Sequence, residues 1–496
     1  MRCLLSFSTA FLGLLFFTAC QQTANEGTSS LRGALDLFES VDTLSVSGTL
    51  PQEETIFDYT GIIERDTLKA ILTYSSTSYF IYKGQPMGYE YELIHRLAED
   101  LGVHLEPVLA KDMDEMFNML LRGEGDIIAH GLTITNSRKK IVDFTLPHNR
   151  TQQVLVQKKP DNWRKMKLHE IENMMIRSPL DLIHQTVSVR GGSAYYDRLI
   201  NLMDEIGGEI NIELVPGSHT TDELIGMVAD GELELTVADQ NIALINQTYY
   251  DLIDIETSMS LTQQLAWAVR KSSPDLRRVI NEWIAQSQQS VDYHVIYNKY
   301  FKNKREFRSR MTSDYFTLTG GQLSPFDEQI SLHAEELGWD WRLLASLIYQ
   351  ESRFEVESES WVGASGLMQV MPATARGLGY TRLDIPEENL KAGTAYLKQL
   401  QAMWEHIPDS TERIKFILAS YNAGPGHVQD AQRLAEKLGK DPLIWDGNTA
   451  DCILLKSKPD YFNDPVVKYG YCRGKEPYHY VQDILKRYVE YEQLVI

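Results

Sequence analysis

From residue 65 to about 130 the chain alternates short apolar runs with stretches whose apolar positions recur every three or four residues. Leu68–Tyr74 reads as a strand and Tyr91–Leu101 as an amphipathic helix ending at Gly102. Val103–Val108 is strand-like again, Met113–Leu121 is helical, and Asp126–Ala129 is a short apolar strand. This alternation predicts a mostly parallel α/β sheet, in which ligands bind outside the carboxyl ends of the strands. Much later, Leu337, Trp341, Leu344 and Ile348 form the apolar stripe of an amphipathic helix, and Glu351 continues it. Its carboxyl therefore points where the helix buries itself.

The start of the chain has a different pattern. Arg2 precedes an apolar run from Leu4 to Phe17, then Thr18-Ala19-Cys20-Gln21, which is the charged start, short hydrophobic centre and small-residue site of an export signal. The run is too short for a comfortable membrane span. Residues 20–64 are rich in Ser, Thr, Gly and Glu and suit a polar tether. Small residues directly before a cysteine resemble the bacterial lipoprotein signal, although Phe17 stands where leucine is usual. The resemblance implies removal of residues 1–19, lipidation of Cys20 and a periplasmic chain held to a membrane by acyl chains. Gln21, rather than aspartate, fits sorting to the outer membrane of a Gram-negative bacterium. An ordinary secreted protein with a chance cysteine is the alternative.

Length and charge narrow the picture further. Removing 19 of 496 residues leaves 477, enough for two or three domains. The net charge of −21 and the lack of a basic cluster beyond Lys299–Arg310 exclude nucleic acid as a partner. Of four cysteines, Cys452 and Cys472 remain after Cys3 and Cys20. In an oxidising compartment they form either a disulfide or two buried thiols. No metal-ligand spacing surrounds His333, His427 or His479 and no phosphate loop is present, so neither metal nor cofactor is expected.

The chemistry concentrates around Glu351. Desolvation disfavours the charged form of a carboxyl, which can then stay protonated near neutral pH and give its proton to a leaving oxygen. After Glu351-Ser352 come Gly366-Leu367-Met368-Gln369 and then Ala419-Ser420-Tyr421-Asn422-Ala423-Gly424. Glycines allow close approach of backbone to a sugar, Gln369 offers a donor and an acceptor, and Tyr421 and Asn422 add polar groups at a helix end. In this order the strings resemble the lysozyme-like family of soluble-type lytic transglycosylases, with Tyr480 as the family's later tyrosine. The resemblance implies that Glu351 alone cuts the β-1,4 bond between N-acetylmuramic acid and N-acetylglucosamine in peptidoglycan. The substrate's acetamido group assists, and a 1,6-anhydro ring forms in place of hydrolysis. Ser352, Met368, Gln369, Tyr421, Asn422 and Tyr480 are the implied substrate-side residues. A hydrolytic muramidase would need a second carboxylate. Glu355, Glu357 and Glu359 are nearby, in an acidic stretch that reads as a solvated face.

The loop after the third strand of the first half reads Gly131-Leu132-Thr133-Ile134-Thr135-Asn136-Ser137-Arg138. An arginine there holds a carboxylate through two parallel hydrogen bonds, with the Thr133 hydroxyl and backbone N–H groups beside it. At this point the chain resembles the periplasmic solute-binding proteins for amino acids. By that resemblance Gly131, Thr133 and Arg138 grip a ligand's α-carboxylate, Asp239 takes its α-amino group, and Tyr89 flanks it. Gly191-Gly192-Ser193 opens the second lobe, and two crossovers near Gln157–Lys159 and Gln264–Arg270 act as the hinge.

The sequence thus predicts a multidomain chain. A two-lobed α/β binding fold spans 65–303, with its second lobe at about 159–264. A linker covers 304–325, and a mainly α lysozyme-like domain covers 326–496. Behind a lipoprotein signal, the two halves resemble the modular membrane-bound lytic transglycosylases. The expected partners are peptidoglycan strands, an amino-acid or muropeptide ligand of the sensor, and a membrane. A rival from another class is a solute receptor whose lysozyme-like part only grips glycan, a task that would not need Glu351.

Overall fold

The computed structural model describes residues 57–318, 320–360 and 363–495. The expected export signal, Cys20 and most of the expected tether lie outside the described residues. Thr67–Thr73 sits between His104–Ala110 and Ile127–Thr133, parallel to both. Gln263–Val269 then runs antiparallel to Ile127–Thr133 and pairs with Asp143–Phe144 and Asn149–Thr151. Both faces of the central strand are buried, Leu68, Ala70 and Leu72 in one cluster and Ile71 with Ile128 in another. This burial on both faces is why the strand reads as an almost unbroken apolar run. A second sheet has the order Asn211–Val215, Thr186–Arg190, Leu235–Asp239, Gln153–Lys158, Ile253–Asp254. These two sheets are the cores of the two lobes.

Three expected boundaries move. The tether ends early, because Phe57 O accepts bonds from Arg270 Nη2 at 3.1 Å and Ser273 Oγ at 3.0 Å. Asp58 Oδ1 accepts from Tyr59 N at 2.8 Å and Leu276 N at 2.7 Å, starting a helix over Tyr59–Glu64 whose Ile62 is fully buried. The chain changes sheet at Gln152, and returns between Ser258, still bridged to the second sheet, and Gln263. The segments expected as crossovers are instead largely regular strand. Apolar patterning marks the strand at Gln153–Lys158 but not the sheet that accepts it. The expected linker 304–325 is also part of the fold. It forms a helix over Lys304–Met311, and Phe307, Met311, Phe316 and Leu323 are buried in the core.

The C-terminal domain is helical, with its principal helices at Asp327–Leu337, Trp341–Ser352, Pro386–Met403, Ser410–Ala423, Pro425–Lys437 and Lys475–Leu494. Cys452 and Cys472 are unbonded buried thiols, so the disulfide alternative is not the one adopted. Burial pushes the Cys452 thiol up to about 11.

A single apolar core runs from the first lobe of the binding fold into the helical domain. The hairpin of Phe80–Tyr82 and Gln85–Met87 is the junction. Tyr491 OH donates to Gly84 O at its turn at 2.9 Å, Tyr79 OH donates to the buried Glu490 at 2.7 Å, and Thr317 N donates to Ile81 O at 3.1 Å. Gly84 has φ +72, and a Cβ there would lie 2.4 Å from the Phe354 ring and 3.0 Å from that of Tyr349. By contrast Gly102, at φ +70, has nothing within 4 Å of such a Cβ. Gly84→Ala is therefore expected to cost about 1–3 kcal/mol more than Gly102→Ala, since both carry the left-handed penalty and only one overpacks a core. Chemical denaturation of the two variants checks this, and equal losses would contradict a tight junction.

Candidate active site

Asp340 starts the helix that carries Glu351 by accepting from Arg342 N at 2.8 Å. Leu343, Leu344, Leu347 and Ile348 bury its inner face. Glu351 sits in the last turn. The helix then stops abruptly, with Arg353 and Phe354 both left-handed at φ 54 and 62. The ring of Phe354 packs edge-on to Tyr349, 5.9 Å away.

The following loop is tied to this helix by polar groups that do not themselves need to meet a substrate. Ser352 Oγ, buried, donates to Leu367 O at 2.7 Å. Met368 N donates to Asn389 Oδ1 at 2.8 Å, and Asn389 Nδ2 donates to Ser365 O at 2.8 Å and Leu383 O at 3.1 Å. The Met368 side chain is fully buried against Gly393, where a Cβ would come within 2.2 Å of its sulfur. Gln369, at φ 46, spends its amide N–H groups on Ser358 O at 2.8 Å and Gly366 O at 2.9 Å. Tyr421 OH donates to Met368 O at 2.8 Å, locking the Ser410–Ala423 helix to the same loop. Asn422 follows in that helix's last turn, partly exposed. Nothing in the sequence pattern singles out Asn389. Its signal was weak, an asparagine inside a helix, where an amide usually competes with the backbone.

Tyr480, on the C-terminal helix, donates its hydroxyl to Glu351 Oε1. Burial pushes the Glu351 carboxyl up from 4.5 to about 7, and the Tyr480 bond works against that rise. Burial, and then the nearness of Glu351, hold the Tyr480 phenol well above its ordinary value, so it stays a donor. Glu355, Glu357 and Glu359 are exposed. Among the described residues the site is thus one protonatable acid in a desolvated position with one phenolic donor.

The second constellation lies between the two lobes, around a cavity of about 70 Å³. Gly131, Thr133, Arg138 and Asp239 all line it. Arg138 Nη1 donates to Thr133 O at 3.1 Å and Nη2 to Gly192 O of the opposite lobe at 3.3 Å. Asp239 Oδ1 is buried with no hydrogen-bond partner among the described residues, and burial pushes this carboxyl up to about 7 against the opposing pull of Tyr195 and Arg138. Tyr89 is not in the cavity. It is fully buried among Tyr297, Tyr300 and Phe301, its hydroxyl bonded to Tyr293 OH at 3.2 Å. Tyr89 opens a helix, so the next residue is turned by about 100°, and it is Glu90 that lines the cavity. Glu90 is held by Trp267 Nε1 at 2.7 Å and His148 Nε2 at 3.1 Å. Arg190 and Asp222 also line it. Ser76 Oγ donates to Asp222 Oδ1 at 2.7 Å, a second bond between the lobes. Arg190 directly precedes the Gly191-Gly192 loop, which marked the region; nothing in the pattern marked Asp222.

The comparisons with known proteins divide the chain at the same place. The model of bacterial extracellular solute-binding proteins, family 3, matches residues 70–303, and that of the transglycosylase SLT domain matches residues 329–444. The chain is 38% identical to the membrane-bound lytic murein transglycosylase F of Desulfosudis oleivorans over 416 residues, 84% of this chain and 87% of that one. It is 31% identical to the protein of that name from Photobacterium profundum, over 90% of this chain and 85% of that one. A solved ancestral amino acid-binding protein, a precursor of cyclohexadienyl dehydratase, is 28% identical with a TM-score of 0.40, over 49% of this chain and 98% of that one.

Two consequences of the Glu351 environment can be measured. Below pH 4.5 the residue is neutral in both folded and unfolded chains. As pH rises through 4.5 to 7 the unfolded chain ionises while the folded one resists, so stability is lost across that window and the loss is complete above the folded pKa. Glu351→Gln, which does not titrate, is expected to gain about 3 kcal/mol on the native chain between pH 4 and 8. Denaturation midpoints across pH check this. Tyr480→Phe removes the bond that lowers the pKa, so the alkaline limb of its pH–rate profile is expected at higher pH than in the native enzyme, and an unmoved limb would contradict the contact.

Proposed function

The chain belongs to the membrane-bound lytic murein transglycosylase F family and is a peptidoglycan lytic transglycosylase with a solute-binding-protein module, and on that premise we propose that Glu351 works as its sole acid and base. The observation that carries this reading is the desolvated carboxyl with a pKa of about 7, moved only by burial and by Tyr480. A pKa near the working pH suits a group that must both give and take a proton.

In the first step Glu351 delivers its proton to the glycosidic oxygen as the C1–O bond of N-acetylmuramic acid breaks. The substrate's acetamido oxygen supports C1, replacing the second carboxylate of a hydrolase. The Glu351 carboxylate then takes the proton of the C6 hydroxyl, whose oxygen closes onto C1. The product is a 1,6-anhydro sugar, no water is consumed, and the acid is regenerated. Tyr480 holds the carboxyl in place. Ser352, Gln369, Tyr421 and the Met368 backbone position the loop, and the partly exposed Asn422 is the residue left to meet the substrate. The reaction takes place in the periplasm at a membrane, and we place the anchor at a lipidated Cys20, with Gln21 favouring the outer membrane.

The module ahead of the enzyme is read as a sensor of a free amino acid or muropeptide. Arg138 takes the ligand's carboxylate, and the unpartnered Asp239 Oδ1 takes its amino group. The segment Ser75–Ser78 beside the cavity leads into the hairpin that packs on Tyr349 and Phe354, which flank Glu351 in the chain. Occupancy therefore has a short packed route to the active site.

Mass spectrometry of peptidoglycan digested by the chain lacking its first 20 residues tests the chemistry. Anhydromuramyl ends that vanish in Glu351→Gln are expected; reducing ends would identify a hydrolase, and no cleavage the receptor rival. For the sensor, Arg138→Ala and Asp239→Asn are each expected to weaken binding of a free stem peptide by at least about tenfold in calorimetry, because each leaves a buried charge of the ligand unpaired. Unchanged affinity in both variants would remove the ligand site from this cleft, and equal turnover with and without peptide would remove its control of the enzyme.

A further inference from the structure

Tyr469-Gly470-Tyr471 lies outside everything assigned so far. Tyr469 is 57% exposed and Tyr471 54%, the most exposed Tyr, Phe or Trp residues among those described. An exposed aromatic ring is normally free to swing, but the backbone carrying these two is held unusually firmly. Asp430, with no exposed surface, accepts from Lys468 N at 2.7 Å and Tyr469 N at 2.8 Å. The same carboxylate pairs with Lys456 Nζ at 2.7 Å, and that lysine is also fully buried. Arg433 joins Asp430 and donates from Nε to Val466 O at 2.8 Å. Cys472 N donates to Lys456 O at 3.3 Å. Burying an ion pair carries a desolvation cost that an apolar pair of the same volume would avoid. Here it fixes the direction of a surface turn.

The turn is placed against the catalytic machinery. The Tyr469 ring lies on Gly426, where a Cβ would be 2.7 Å from three of its atoms, and it meets His427 at 6.3 Å between ring centres. Gly426 is five residues beyond Tyr421, whose hydroxyl is bonded beside Glu351's loop. Gly474, three residues beyond Tyr471, packs its backbone on Ile453 O and begins the helix that delivers Tyr480 to Glu351. The two chain segments that bring Tyr421 and Tyr480 to the acid therefore meet at this aromatic shelf. Phe462 backs it, 5.7 Å from the Tyr471 ring.

We propose that Tyr469 and Tyr471 form a glycan-binding subsite, a stacking platform for an N-acetylated sugar of the strand beyond the two that flank the scissile bond. β-1,4-Linked glucosamine-type rings carry their substituents equatorially and present a face of axial C–H groups. Such a face complements the electron-rich face of a phenol ring. Lys468 and Arg473 flank the rings and are exposed, yet the occupant is the sugar chain rather than its peptides, because the two rings are what the fixed turn presents and they sit on the segments that bring Tyr421 and Tyr480 to the acid. The proposal rests on the reading of Glu351 as the acid, and its test separates the two.

In the Glu351→Gln background, affinity for peptide-stripped glycan strands is measured by calorimetry with and without Tyr469→Ala and Tyr471→Ala. The double replacement is expected to weaken binding about tenfold or more, while Tyr469→Phe and Tyr471→Phe keep it. In the active enzyme the alanine pair is expected to raise KM with the pH–rate profile unmoved, which a structural disturbance of Glu351 would not allow. Unchanged affinity for strands, or a loss accompanied by a moved pH profile, would overturn the subsite. Anhydromuramyl product from Glu351→Gln itself would overturn the acid, whatever the shelf does.

Discussion

Everything in the catalytic domain turns on keeping one carboxyl largely out of water with, among the described residues, a single donor on it. A carboxylate accepting several hydrogen bonds would have its pKa driven down and could not serve as an acid at neutral pH. Glu351 accepts from Tyr480, and burial outweighs that bond, leaving the carboxyl poised at about 7. The surrounding polar groups satisfy one another instead. Ser352 is bonded to Leu367 O, Asn389 to Met368 N, and Tyr421 to Met368 O. The described part of the loop is polar, yet adds no further donor to the acid.

The same economy explains why the binding module is welded to the enzyme. The hairpin turn at Gly84 fills the space beside Tyr349 and Phe354, so the end of the catalytic helix is completed by residues of the other domain. Tyr79 and Glu490 bring a buried polar contact into that junction, with Glu490 raised above its ordinary pKa by burial. Interfaces between domains are ordinarily modest and mobile. A continuous core here means that any strain at the cleft loop is carried by packed side chains.

Much of this was legible in the sequence. Apolar spacing marked the Glu351 helix and the face its carboxyl takes, while the resemblance of the later strings to the lytic transglycosylases marked the residues gathered around it. Alternating apolar runs marked a mostly parallel α/β sheet, the resemblance to solute-binding proteins supplied its two lobes, and Gly131, Thr133, Arg138 and Asp239 do line one cavity. What failed was direction and partnership. Tyr89 and Glu90 are adjacent, and only helix geometry decides which one faces the cavity. The expected linker reads as polar because Lys304, Arg305, Arg308 and Arg310 dominate it, yet Phe307, Met311 and Phe316 between them find a core only in the folded chain. Several site residues also hold the site rather than meet a substrate. Met368 and Ser352 are buried, and a motif alone does not distinguish the two roles.

The most direct measurement is infrared difference spectroscopy of native chain against Glu351→Gln, following the carbonyl stretch of the protonated carboxyl as pH is raised. A band that disappears with a midpoint near pH 7 is the expected result, since burial is what sets the acid. A midpoint near 4.5, the ordinary value, would mean that Glu351 is solvated and ionised at neutral pH, and that the proton for the leaving oxygen must come from elsewhere.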